Sequence, residues 1–205
     1  QKDAATGTQL VREFQLAKEG THLSCKQTII NVSDQVTQWC HWSRTFARGE
    51  GICLIPLTPN SRFPNSYVMY ETGDLINLRP TDPNIRTRDG FLEITGVPKE
   101  PKLGMDSQAG WFGYLMPHDV LFVKRYKVFS DRVYNEVAGL TISIWYPEGK
   151  RVELEPIGPR ERLSPGESAS FTEDWWLLPY EFPAPQTQVD LSKLNALVKA
   201  ATRVE

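Results

Sequence analysis

Val152-Glu153-Leu154-Glu155-Pro156-Ile157-Gly158-Pro159, followed by Leu163-Ser164-Pro165-Gly166-Glu167 and Phe171-Thr172-Glu173-Asp174-Trp175-Trp176-Leu177-Leu178, reads as a strand, a Pro/Gly turn and a second strand. Side chains alternate across a strand. Glu153 and Glu155 therefore emerge on one face with Leu154 on the other, and Trp175 and Trp176 point to opposite faces. Two carboxylates at i and i+2 raise each other's proton affinity, and partial burial adds to the effect. Carboxylates beside flat aromatic rings make a surface suited to a sugar.

Outward from this block, β-branched and aromatic segments alternate with clusters of Gly, Pro, Asn and Asp over most of the 205 residues. The pattern predicts strands at Gln9–Leu16, His22–Val32, Gly51–Pro56, Tyr67–Tyr70, Phe91–Thr95, Trp111–Leu115, Val120–Val128, Leu140–Tyr146, Arg151–Glu155 and Ser168–Leu178. Strands in this number, without intervening helices, imply an all-β fold, an antiparallel β-sandwich. In Val120–Val128, Phe122, Lys124 and Tyr126 share one face and Leu121, Val123 and Arg125 the other, so both faces are expected to be partly covered. In Leu140–Tyr146 the alternation is cleaner, with Leu140, Ile142, Ile144 and Tyr146 on the buried side. Leu54–Pro64 and Arg79–Gly90 read as long loops. After Pro179–Pro185, an N-cap at Asp190 opens one helix with Leu191, Leu194, Val198 and Ala201 on a single stripe. The organisation expected is a sandwich domain over residues 1–185 and a C-terminal helix over 186–205 packing on it.

Composition narrows the function classes. With 23 Lys+Arg against 25 Asp+Glu and a formal charge of −2, no global basic field draws in a phosphate backbone, so nucleic acid is not an expected partner. No run of about 18 apolar residues is present, so no membrane span is expected. The compartment stays open between cytoplasm and a periplasmic or secreted setting. Asn31-Val32-Ser33 is a glycosylation sequon that matters only in a glycosylating pathway. Cys25, Cys40 and Cys53 have no C-x-x-C spacing, so no metal site is expected, and a single disulfide is left open. Gly-rich phosphate loops, the G-x-S-x-G elbow and H-E-x-x-H are all missing.

Three histidines bound any acid–base proposal that needs one. His41, in Gln38-Trp39-Cys40-His41-Trp42-Ser43-Arg44-Thr45-Phe46, stands between two indoles and ahead of a guanidinium and is the best candidate. His118 reads as a turn residue and His22 as a strand start. Glu153 and Glu155 lead the carboxylates, with Glu136 a third. Arg44, Arg62 and Lys102 are candidate donors to hydroxyls or a carboxylate, and Trp42 and Trp111 candidate stacking platforms.

Two separated blocks give the chain a family likeness. The run Leu23–Phe46, a strand passing through Ile30-Asn31-Val32-Ser33-Asp34 to His41, resembles the strand, Asn and Ser-Asp turn that precede a functional His in aldose 1-epimerases (galactose mutarotase-like proteins). Val152–Pro156 with Leu163-x-Pro165-Gly166-Glu167 resembles that family's Glu-bearing strand and its L-x-P-G-E turn. Lys102-Leu103-Gly104 and Gly110-Trp111-Phe112 bring the likeness closer to an uncharacterised bacterial branch of the superfamily. The resemblance implies a β-supersandwich, a carbohydrate ligand and no cofactor. It also implies a mechanism in which an imidazolium protonates the ring oxygen while a carboxylate takes the anomeric proton. On that basis His41 is the acid and Glu155, or Glu153, the base. The chain opens at Gln9-Leu10-Val11-Arg12 as though joining such a sandwich partway, which implies an N-terminal portion supplied by a missing segment or a partner chain. Two rival readings stand beside epimerisation. One is a non-catalytic glycan-binding module using Trp42, Trp111 and Trp175, and the other is a structural or assembly domain.

Overall fold

The computed structural model describes residues 2–73 and 75–202. Among them, the strands in chain order are β1 (Lys2–Asp3), β2 (Thr8–Leu16), β3 (Leu23–Asn31), β4 (Thr37–Trp42), β5 (Thr45–Arg48), β6 (Ile52–Pro56), β7 (Val68–Glu71) and β8 (Leu75–Asn77). They continue as β9 (Ile85–Arg88), β10 (Phe91–Ile94), β11 (Lys102–Met105), β12 (Trp111–Met116), β13 (Val120–Tyr126), β14 (Ile142–Glu148), β15 (Arg151–Leu163) and β16 (Ser168–Pro179), before helix α1 (Leu191–Ala201). Nine strands form one sheet in the order β1-β2-β3-β16-β13-β12-β6-β10-β9. A second sheet runs β4-β15-β14-β11-β7-β8, with β5 also paired to β15. Neighbours in both sheets are antiparallel, and the architecture is the antiparallel β-sandwich that the sequence predicts.

The main core lies between the sheets. Ile142, Ile144 and Tyr146 of β14, with Val152 and Leu154 of β15, meet Phe112, Tyr114 and Phe122 of the larger sheet. The far side of the larger sheet is covered by α1. Leu191, Leu194 and Val198 pack on Leu121, Val123 and Trp176, and Asp190 caps the helix by accepting from Lys193 N. β13 is thus covered on both faces, as its mixed alternation suggests. No helix of the described residues is long and apolar enough to cross a membrane.

The strand expected to stop at Glu155 continues to Leu163. Proline removes a ladder donor, and Pro156 and Pro159 stand where β15 changes partner. Up to Leu154 it pairs with β5, and from Ile157 it pairs with β4, with a register shift between Ile157 and Arg160. The turn is Leu163–Glu167, where the Glu167 carboxylate accepts from Ser164 N at 2.6 Å and is held below its usual pKa by that bond. Other strands escape the sequence reading. Arg79–Gly90 contains β9, and β4, β5, β8 and β11 are short pieces of three to six residues with little periodicity to read. The three cysteine thiols are free.

Two polar arrangements hold these parts in place. Asn31 is fully buried. Its side-chain amide donates to Leu163 O at 2.9 Å and Gln35 O at 2.7 Å, its Oδ1 accepts from Ser33, and its backbone bonds Glu167 O and Gly166 N. The two family-like motifs therefore meet in space as a structural clasp, and the sequon asparagine has no free amide to modify. The second arrangement is Lys124, fully buried between the sheets. Its Nζ lies 2.8 Å from Glu173 Oε2 and donates to Leu154 O and Thr45 Oγ1 across the sandwich. Glu173, equally buried, also accepts from Gln27 Nε2 at 2.6 Å and Trp175 Nε1 at 3.0 Å. Burial depresses the Lys124 pKa, against the pull of Glu173.

Breaking a buried pair from one side strands a charge and costs about 3–5 kcal/mol. Lys124→Met is expected to lower unfolding stability by that order in urea titrations at neutral pH, and Lys124→Met/Glu173→Gln to recover much of it. A double variant no more stable than the single would show that the stranded carboxylate is not the source of the loss.

Candidate functional site

The second sheet carries its charged cluster on the face turned away from the main core. Leu154, Ile144 and Leu103 face inward, so their neighbours along each strand face outward. Register sets these neighbours in rows. Glu155 lies opposite Ser143, and Ser143 opposite Gly104; Glu153 lies opposite Trp145, and Trp145 opposite Lys102. β4 delivers Trp42 beside them at the level of Ile157, and Arg44 follows in the short link to β5.

Glu155 sits at the centre with no solvent exposure. Its Oε2 accepts from Trp42 Nε1 and from Lys102 Nζ, each at 2.7 Å. The Lys102 ammonium also stands 4.9 Å from the centre of the Trp42 ring, a cation–π distance. Arg44 Nε is 3.5 Å from Glu155 Oε1 and 3.7 Å from Glu153 Oε2. Its side chain is 61% exposed, so it is the cluster's most accessible cation. Glu155 Oε1 faces the Arg44 guanidinium and the neighbouring Glu153 carboxyl. Burial raises the Glu153 pKa, and the bond and charge of Glu155 raise it further, against Arg44 and Lys102. Burial works to raise Glu155 too, but donation from Glu153, Lys102 and Trp42 outweighs it and holds the group below the usual carboxylate range. The two carboxyls are thus pushed in opposite directions, Glu153 up and Glu155 down.

Further residues roof this face. Tyr70 donates a short hydrogen bond to Glu136 Oε1, and its phenol pKa is pushed up by burial, by Glu136 and by the charge of Glu155. Leu140 packs where Gly104 has no side chain; a Cβ there would run into it. Arg62, exposed and 3.8 Å from Asp106, lies against Gly139 in the same loop region. Glu136 and Arg62 therefore flank the cluster without reaching Glu155 directly. Tyr70 was not singled out from the sequence, although it continues the row of Lys102, since Met69 pairs with Leu103.

Two expected members are elsewhere. His41 precedes Trp42 on β4 and so turns to the opposite face, where it stacks on Phe171 of the other sheet at 5.7 Å. It is 5% exposed, and burial lowers its pKa, against the charge of Glu161 and the backbone of Gln27. The sheet itself separates it from Glu155, so the expected acid–base pair does not converge. Trp111 is buried beneath α1 against Phe91 and cannot serve as a platform. The other imidazoles are also remote. His22 bonds Asp174 and stacks on Trp176, and His118 lies 3.3 Å from Arg48. Trp175 packs edge-on against Phe14 and Phe122, away from the cluster.

Comparison with solved structures shows that this chain has the galactose mutarotase-like fold. It is similar to a galactose mutarotase-like protein from Lactobacillus casei (14% identity, TM-score 0.53, 82% of this chain and 63% of that one). It is also similar to an Escherichia coli K12 protein named for aldose 1-epimerase (10% identity, TM-score 0.55, 83% and 60%) and to the Slr1438 protein of Synechocystis (15% identity, TM-score 0.52, 84% and 55%). The chain spans less than two thirds of the length of each. No family model and no curated protein matches it by sequence.

The divided pair has a pH signature. An acid whose folded pKa is raised contributes stability that is full below its unfolded value, about 4.3, and is lost as pH rises through the folded value. Stability is therefore expected to fall with rising pH just above the ordinary glutamate range, by at most about 1.4 kcal/mol per pH unit for one proton. Glu153→Gln should flatten that fall, while the acid-side loss due to Glu155 remains. Urea unfolding between about pH 4 and pH 8 measures both, and an unchanged slope in the variant would refute the division.

Proposed function

We propose that the chain binds a carbohydrate on the outer face of the second sheet, through Trp42, Arg44, Lys102 and Glu153, without catalysing its epimerisation. One observation carries this reading. An indole, a guanidinium, an ammonium and two carboxyls gather on one face, while the three histidines stand at other places in the fold. The first set is the chemistry that recognises hydroxyls and the C–H face of a pyranose. Ring opening in addition requires an acid and a base within hydrogen-bond reach of one sugar. Glu155, the base that the family likeness suggests, is enclosed by Trp42 and Lys102, which leaves Glu153, itself only 7% exposed, as the less enclosed carboxyl.

Screening on a glycan array, followed by calorimetry on the best ligand, is expected to find binding that Trp42→Ala and Arg44→Ala reduce about tenfold or more, the loss of a stacking or charge-assisted contact. Polarimetry on free aldoses is expected to give mutarotation no faster than in buffer. Acceleration that disappears in Glu153→Gln or Glu155→Gln would replace the binding reading with the enzymatic one. An array without any bound glycan would remove both.

A further inference from the structure

A cavity of about 650 Å³ lies on the other side of β4, between β2, β3 and β4. That volume lies within the range of small-molecule sites, about 300–1,000 Å³, which combine apolar walls with a few placed polar groups. Its apolar walls include Ile29 and Trp39, and Trp39 is 40% exposed although it stands on a strand. Arg12 enters from β2, and its side chain makes no ion pair or hydrogen bond among the described residues. The rim is already ordered. Asp3 accepts from Ala5 N and from Thr6 Oγ1, each at 3.0 Å, and Thr6 Oγ1 lies 2.8 Å from Thr8 Oγ1.

From this we infer a second ligand site in the inter-sheet cleft, formed by Trp39, Arg12, Asp3 and Thr6, which takes a carboxylated sugar, a hexuronic acid residue. The indole supplies a flat apolar platform for the C–H face of a pyranose. The Asp3 carboxylate and the Thr6 hydroxyl oxygen accept from ring hydroxyls. Arg12 decides the class. A guanidinium presents a planar fork of donors that matches a carboxylate in bidentate fashion, and here that fork has no anionic partner of its own. A neutral hexose would leave it unpaired. The site shares no side chain with the Trp42–Glu155 cluster, so it stands or falls independently of the function proposed for that face.

The test is titration of the protein with the methyl glycosides of glucuronate, galacturonate and mannuronate, each against its neutral hexose counterpart, followed by calorimetry and amide chemical shifts. At least one uronate is expected to bind about tenfold or more tightly than its neutral partner, the effect of one charge-assisted pair. Arg12→Gln should erase the preference, and Trp39→Ala should abolish binding. Both cleft side chains are exposed, and unchanged circular dichroism and melting would confirm that the variants are folded. Uronates that bind no better than hexoses, or no binding at all, would overturn the inference. Binding that Glu153→Gln abolishes and Arg12→Gln does not would also overturn it, by placing the ligand on the outer face.

Discussion

The ammonium of Lys124 is the point on which the two sheets are registered. It rises from β13 in the larger sheet, pairs with Glu173 on β16 beside it, and reaches over to the Leu154 carbonyl and Thr45 hydroxyl of the smaller sheet. An unpartnered charge in that apolar layer would be costly. The bond to Leu154 O therefore fixes β15 along its length relative to β13. Glu153 and Glu155 flank that residue and point the other way, so the polar bridge on the inner face sets the position of the carboxyl pair on the outer one.

β15 turns this fixed position into a usable surface. Its prolines stand where pairing passes from β5 to β4, and the change of partner brings Trp42 and Arg44 to the same pair of carboxyls. Gly104 contributes through the side chain it lacks, since Leu140 occupies the space and seats the loop that holds Glu136 near Tyr70. Gly104 and Leu140 hold the roof, while Arg44, Trp42 and Glu153 form the part a ligand can meet.

Much of this was legible in the sequence wherever a single period governs a segment. Ile142–Tyr146 and Val120–Tyr126 gave their faces correctly because both strands are central and covered in the way their alternation implies, whereas Leu140, expected on the buried side with Ile142, precedes β14 and packs on the outer face over Gly104. The same parity rule placed Glu153 and Glu155 together. Their partners were less legible, because Lys102 and Trp42 reach them through register between strands distant in sequence, which no local pattern encodes. His41 illustrates the limit. It stands one residue from Trp42, and that single step puts it on the other side of the sheet. Lys124 was readable as sharing a face with Phe122 and Tyr126, but nothing local announced that Glu173 would neutralise it. The Asn-Ser-Asp and L-x-P-G-E motifs were read beside catalysis, whereas they bind each other as a clasp.

That clasp also bears on how the chain could be made. The Asn31 side chain is enclosed by Gln35, Leu163 and Ser33 in the folded protein, yet in a nascent chain it is an open sequon. Along any route that glycosylates polypeptides before they fold, sugar transfer and closure of the β3 end against the β15–β16 turn would compete for the same amide nitrogen. A chain modified first could not complete the clasp. Rapid docking of the C-terminal hairpin onto β3 would then protect the site from modification, although that hairpin emerges from the ribosome more than a hundred residues after the asparagine it covers.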